Sequence, residues 1–395
     1  MNIYADNAAT TKMSDAAAEI MTQYNKEYYG NASSLYTLGQ KAKEKLEEAR
    51  CIIAGIINAE PSEIIFTSGG SESDNQALLS ASENGKKNGK MHIISSAFEH
   101  HAILHTLKKL EKNGFEVTLL PVHENGIIHP DEIDAAIRED TCLVTIMTAN
   151  NEIGTIQPIK EIGEICKNRG VPFHTDAVQA IGHQLIDVKE QNIDMLSASA
   201  HKFHGPKGVG FLYVKKGIRI SNLIEGGAQE RGKRAGTENL PGIMAMAVAL
   251  KESADNMETA NAHKSEIRDY IIKGLSEIPH SALNGDARMR LSGNVNFSFE
   301  GIEGESLLIL LDMKGISCSS GSACTSGSLD PSHVLLAIGR IHDVAHGSLR
   351  LSLGEEITLE EADYIISAVK EVVEYLRGIS PVWRDLVSGK REFIL

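Results

Sequence analysis

No run in this chain approaches the roughly 20 apolar residues that a membrane span requires. The longest, "GIMAMAVAL" (242–250) and "SLLILL" (306–311), fall far short, so no membrane partner is expected. The first residues, "MNIYADNAATTK", have neither a basic n-region nor an apolar h-region, and a cytoplasmic location is expected. Cysteine is scarce and unpaired in number: Cys51, Cys142, Cys166, Cys318 and Cys324 make five, without regular spacing. Disulfides are therefore not expected. Basic residues are outnumbered, 39 Lys and Arg against 53 Asp and Glu, for a formal charge of −14, which excludes nucleic acid as a general partner. One local exception is "ERGKRAGTEN" (230–239), where Arg231, Lys233 and Arg234 cluster among glycines as a solvated turn or a grip on an anion. Internal repeats are lacking too.

What remains is ordinary globular composition, with 42% apolar and 23% charged residues, in a chain long enough for one large and one smaller unit. "EIIFT" (63–67), "MHIIS" (91–95), "FEVTLLPV", "CLVTIMT", "VPFHT", "DMLSASA" and "GVGFLYV" read as strands. Helical patterns separate several of them, from about Ser71, over 100–114 and over 159–170. Such alternation predicts an α/β fold, a mainly parallel sheet flanked by helices, with chemistry at the carboxyl ends of its strands. After a helical stretch from about Pro241 to Ser276 the pattern changes. "NVNFSF" (294–299) alternates like a half-exposed strand, "GESLLILLDMKG" is helical, "GSLRLSLG" (347–354) is a strand, and Thr358 with Glu361 has capping-box spacing before a strong helix. A large unit over 15–255 and a smaller α+β unit made of 1–14 and 256–395 are expected.

Three stretches carry chemistry. "FTSGGSESDN" (66–75) passes from a strand through two glycines into a helix, a cup for phosphate or an ordinary capped turn. "HTDAVQ" (174–179) puts Asp176 at a strand end, where it could bind a cation or simply start a turn. "SASAHKFHGPKGVG" (197–210) places Lys202 just past a strand, as a Schiff-base lysine or a surface one. Together they are the parts that hold pyridoxal phosphate: its phosphate, its pyridinium nitrogen and its aldehyde. A fourth stretch, "SSGSACTSGSLDPSH" (319–333), sets a thiol, Cys324, in a Ser- and Gly-rich loop without apolar neighbours, where a structural cysteine would not be expected.

With "YADNAATT", "FTSGGSESDN", "NNEIG", "HTDAVQ", "HKFHGPKGVG", "RAGTEN", "GSACTSGSLDPSHVL" and "GSLRLSLG" in this order, the chain resembles the cysteine desulfurases of the NifS/IscS type, class V enzymes of fold type I that depend on pyridoxal phosphate. The resemblance covers nearly the whole length. It implies that Lys202 binds the cofactor covalently, that Asp176 faces the pyridine nitrogen and Gln179 the ring hydroxyl, and that His100 stacks on the ring and moves protons. Gly70, Ser71, Ser199, Ala200 and His201 would surround the cofactor and its phosphate, with Thr237 supplied by the partner of a homodimer. Asn151, also near the cofactor, and Arg350 would hold the substrate carboxylate. Cys324 would take sulfur from L-cysteine, leaving alanine and a persulfide for an acceptor such as an Fe-S scaffold or a tRNA-thiolation protein. A selenocysteine lyase or a class V aminotransferase is the alternative; the latter would need no thiol loop.

Ala32 and Tyr36 stand where the family usually has Pro and His, and His101 beside His100 is unusual. His101 and His105 have i, i+4 spacing without an evident third ligand, so they are expected as surface histidines and no metal is expected. Cys318, in "GISCSS", is expected as a buried thiol in a strand. Cys51, Cys142 and Cys166, in apolar patterns, are expected to be buried as well.

Overall fold

The computed structural model describes residues 1–320 and 331–395; Cys324 and most of its Ser- and Gly-rich stretch lie outside them. The strands in chain order are β1 (Ile3–Tyr4), β2 (Ile64–Thr67), β3 (His92–Ser96), β4 (Glu116–Leu120), β5 (Thr141–Thr145), β6 (Phe173–Asp176), β7 (Met195–Ser199), β8 (Gly210–Val214), β9 (Ser281–Leu283), β10 (Asn294–Phe299), β11 (Ile316–Ser317) and β12 (Ser348–Ser352). Seven of them form one sheet in the order β2-β8-β7-β6-β5-β3-β4. All pairs are parallel except the two made by β8, which runs against both β2 and β7. Every residue of β2, β3, β5, β6, β7 and β8 is buried, as in a sheet covered on both faces. The edge strand β4 is only partly buried.

The reversal at β8 matters for position. A parallel connection would recross to the amino ends of the strands, whereas the antiparallel step from β7 to β8 is made by residues 200–209 alone, so the whole connection, with Lys202, stays at the carboxyl end of β7. A Cβ on Gly210 would meet the carbonyl oxygen of Ala198 and, at 2.7 Å, the Cα of Gly69. Only glycine lets the start of β8 come that close to the turn that opens the helix Gly70–Lys87.

Strands β9, β10 and β12 form an antiparallel sheet in the order β12-β10-β9, and β1 pairs in parallel with β11. The alternation of β10 is real, but the strand is buried at all six residues rather than half exposed. Its apolar face, Val295, Phe297 and Phe299, joins a core with Ile267, Leu349 and Val372. Its polar face turns inward onto hydrogen bonds: Asn294 and Asn296 each donate from Nδ2 to the Glu152 carbonyl at 3.0 Å, and Ser298 accepts from Asn284 at 2.9 Å. Protein replaces water as the partner of the polar face, which period-2 alternation cannot distinguish.

Residues 255 and 256, the expected division, fall inside one continuous helix, Leu240–Leu275, capped by the Asn239 side chain accepting from Gly242 N at 3.2 Å. Its first half packs Leu240, Ile243 and Met246 into the core of the large sheet, and its second half packs Ile267, Ile271 and Leu275 into the core of the small one. Val334 and Leu335, just past the undescribed stretch, belong to the large-sheet core.

Two expectations for the thiols change. Cys51 is exposed on the helix Thr37–Ile56, its position in an apolar pattern notwithstanding, because the buried stripe runs through Leu46, Ala49, Arg50 and Ile53 instead. Cys318 lies just beyond β11 and is half-buried. Cys142 and Cys166 are buried. Among the described residues, no helix is long and apolar enough to cross a membrane.

Candidate active site

The carboxyl ends of β2, β6 and β7 open onto a cavity of about 590 Å³ whose walls include Gly70, Ser71, His100, Asn151, Asp176, Gln179, Ser199, His201, Lys202 and Arg350. Ten of the residues expected at the site are thus brought to one place from segments up to 280 positions apart. The 18-residue helix Gly70–Lys87 presents its N-terminal turn to the cavity through Ser68, Gly69, Gly70, Ser71 and Glu72. The first N–H groups of such a helix lack intrahelical partners and carry its positive dipole end. Ser199, His201 and Lys207 line the same cavity, so hydroxyls, an imidazole and an ammonium surround a place suited to a phosphate. Gly70 is required here, since its Cβ would meet Val178 Cγ2 at 2.6 Å.

Lys202 follows β7 in a single turn of 3-10 helix, Ala200–Lys202. Its ammonium donates to the carbonyls of Ala8 at 2.5 Å and Ala9 at 2.8 Å, and Gln179 Nε2 donates to the same Ala8 carbonyl at 2.9 Å. The N-terminal strap over residues 5–9 is therefore part of the wall. His100 N-caps the helix His101–Lys112, with Nδ1 accepting from Ala102 N at 3.1 Å. Burial and the Lys202 charge depress its pKa below the usual histidine value. Its imidazole is neutral at pH 7, with the proton left on Nε2 by that bond.

Asp176 accepts from Val178 N at 2.9 Å, and burial raises its pKa above the ordinary aspartate value. Two further buried carboxyls that sequence reading missed lie close by. Asp74, on the helix Gly70–Lys87, is raised by burial and then by the charge of Asp176, and its Oδ1 has no hydrogen-bond partner. Glu99 accepts from Ser96 Oγ at 2.6 Å and Met147 N at 3.0 Å, while burial pushes its pKa to about 8. Burial and mutual repulsion oppose ionisation of all three acids together, and the Lys202 charge offsets this only in part, at Asp176. A group with a protonated ring nitrogen beside Asp176 and a phosphate at the helix N-terminus would fit this arrangement.

Other expected residues sit differently. Arg350, 2% exposed, is already engaged: Nη2 donates to Asp6 Oδ1 at 2.7 Å and Nη1 to the Asn151 carbonyl at 3.2 Å, which leaves a buried Nε without a partner. Thr237 is exposed and outside the cavity of its own chain, and Ala200 is buried behind it. His101 is not a plain surface histidine. Its ring packs on His105 at 5.0 Å and on His333 at 4.7 Å between centroids, with Nδ1 buried, because the helix His333–Ala337 closes over it.

Glu99 gives a pH prediction. A carboxyl whose folded pKa is raised holds its proton in the fold after the unfolded chain has lost it, so stability falls as pH climbs from the ordinary glutamate range to about 8. Glu99→Gln removes that loss and keeps an acceptor for Ser96 and Met147. Its thermal stability relative to the unaltered protein should improve by on the order of a few kcal/mol between pH 5.5 and pH 8.5. An advantage independent of pH would contradict the assignment.

With this geometry in view, the chain matches the family described as Aminotransferase class-V over residues 3–365; it belongs to that family. A cysteine desulfurase IscS from Clostridium botulinum (strain Hall) is 53% identical over 393 residues, 99% of each chain. Among solved structures, a NifS-like protein superposes with a TM-score of 0.89 at 38% identity, covering 95% of this chain and all of that one. A structure titled SspA in complex with cysteine gives 0.79 at 37% identity, covering 89% and 99%. Within the class-V family the chain stands with the cysteine desulfurases, and its cofactor is pyridoxal phosphate.

Proposed function

We propose that this chain removes sulfur from L-cysteine, leaving L-alanine and a persulfide on Cys324 that acceptor proteins consume. The observation that carries the reading is the convergence of Lys202, Asp176 and the Gly70 helix start on one cavity. When bound, pyridoxal phosphate supplies the electron sink that labilises bonds at the amino acid's α-carbon. The chain's own residues do the rest. Lys202 holds the aldehyde end covalently, the helix start with Ser71, Ser199 and His201 holds the phosphate, and Gln179 bears on the ring hydroxyl. Asp176 keeps the ring nitrogen protonated. His100, neutral and donating from Nε2, moves protons over the ring face. Arg350 takes the substrate carboxylate with Asn151. The Cys324 thiolate would attack the substrate sulfur, forming the S–S bond as the substrate Cβ–S bond breaks and leaves its electron pair on the carbon fragment, which takes up protons to become alanine. A thiolate suits this because it is nucleophilic at neutral pH and can itself carry sulfur. We assign Thr237 to the partner subunit's phosphate in a homodimer, and an Fe-S scaffold as acceptor.

Asp176→Asn tests the electron-sink role. A charge-assisted hydrogen bond is worth about 1.5–3 kcal/mol, so turnover of the cofactor-loaded variant should fall roughly ten- to hundredfold or more, with a smaller change in cofactor affinity. Normal turnover of the loaded fraction, combined with poor loading, would reduce Asp176 to a positioning residue. A class-V aminotransferase would release no sulfur; quantifying alanine and protein-bound sulfane sulfur together separates the two activities.

A further inference from the structure

Outside the cavity, one cluster of side chains has the makings of a second site. The chain leaves β4 through residues 121–129 and enters the short helix Pro130–Ala136. His123, His129 and Glu132 there bring two imidazoles and a carboxylate together, with one ligand atom from each lying within 4.8 Å of the others. Among the described residues this is the only such group of three. The His123 and His129 rings lie face to face, 4.1 Å between centroids at 18°, and His123 Nε2 is 3.0 Å from both Glu132 oxygens.

The backbone that carries them is fixed. Gln157 clamps the segment from two sides, donating to the Gly126 carbonyl at 2.6 Å and accepting from Ile128 N at 2.9 Å. Thr155 Oγ1 donates to the Asn125 carbonyl at 3.0 Å, and Ile133 anchors the helix in the large-sheet core. Rigid supports of this kind hold a ligand set without much ordering cost. His129 and Glu132 are exposed and half-buried respectively, so small side-chain rotations suffice to bring three atoms to the bond lengths of about 2.0–2.2 Å that imidazole and carboxylate ligands need.

We propose that His123, His129 and Glu132 form a binding site for a first-row divalent transition-metal ion, with water completing its coordination. Two histidines and one carboxylate are the donor set of open zinc sites and of facial iron(II) sites, and the charge of −14 favours cation approach. The site shares no residue with the wall of the cofactor cavity and stands independently of the desulfurase reading.

The probe is Co²⁺, titrated calorimetrically and by visible absorption into the cofactor-loaded full chain with its accessible thiols alkylated. His123→Asn suits the left-handed backbone there, φ +52°. His129→Asn retains a good N-cap and Glu132→Gln retains the capping box, so all three variants should fold and keep their cofactor absorbance. The expected result is one Co²⁺ per chain with micromolar affinity, weakened at least tenfold in each variant, and displaced by Zn²⁺. No binding tighter than millimolar, or undiminished binding in any one of the three folded variants, would overturn the site.

Discussion

Lys202→Ala should yield a folded protein that retains no cofactor after borohydride reduction and denaturation, with turnover reduced more than about a thousandfold. The side chain is half-buried at the cavity wall and donates to the Ala8 and Ala9 carbonyls. Water can replace it at both oxygens, since they face the cavity, so the stability cost should stay near 1 kcal/mol, the net value of a typical hydrogen bond, or about that. Lys207 lines the same cavity and supplies the control. Mass spectrometry of the reduced unaltered protein should place the pyridoxyl group on Lys202, and Lys207→Ala should keep the adduct on Lys202, with at most weaker cofactor retention. An adduct on Lys207 alone would move the covalent site to the neighbouring lysine and recast Lys202 as a residue that merely ties down the N-terminal strap.

Cys324→Ser is expected to divide the reaction. On the proposed function, binding of L-cysteine draws on Lys202, Asn151 and Arg350, all on the described cavity wall, whereas sulfur abstraction needs a thiolate. The variant should still change the visible spectrum when L-cysteine is added, yet form no alanine and no protein-bound sulfane sulfur in a single turnover. Three of the four described thiols are poor substitutes. Burial pushes Cys318 and Cys166 to about 12 and Cys142 to about 11, so each is almost wholly protonated at neutral pH and a weak nucleophile. Cys318→Ser should therefore remain active, with a stability loss of about 1–3 kcal/mol from placing a hydroxyl where a largely buried thiol stood. Sulfur loading that survives in the Cys324 variant and vanishes in the Cys318 variant would assign the nucleophile to the wrong side of the Ser- and Gly-rich stretch.

Residues whose chemistry depends on a strand end were readable from sequence, because hydrophobic periodicity locates strand ends and α/β sheets put their sites there. Asp176 and Lys202 belong to this group, and so does the glycine turn before Gly70. The buried acids were not readable. Asp74 sits in the polar-looking start of a helix and Glu99 in a connection, and only the tertiary fold shows that neither reaches water. The contribution of Ala8 and Ala9 was equally hidden, since it is made by backbone carbonyls that every residue type possesses. The reversed direction of β8 escaped because period-2 patterning carries no sign. Arg350 lines the cavity, but its bond to Asp6 joins residues 344 positions apart, beyond any local pattern.

That long-range bond has a bearing on how the protein is made. The strap over residues 5–9 is the first part of the chain to be synthesised, yet its partners are among the last: Ser352 N donates to the Ala5 carbonyl at 2.7 Å, Asn7 N donates to the Ser352 carbonyl at 3.1 Å, and β1 pairs with β11. At translation rates of about 5–20 residues per second, the strap waits on the order of 20–70 s on the ribosome before those partners exist. Until then the strap lacks its bonds to Ser352, and Arg350 is not yet present on the cavity wall. A product ending before Ser348 would therefore lack both the Ser352 anchor of the strap and the Arg350 part of the cavity wall.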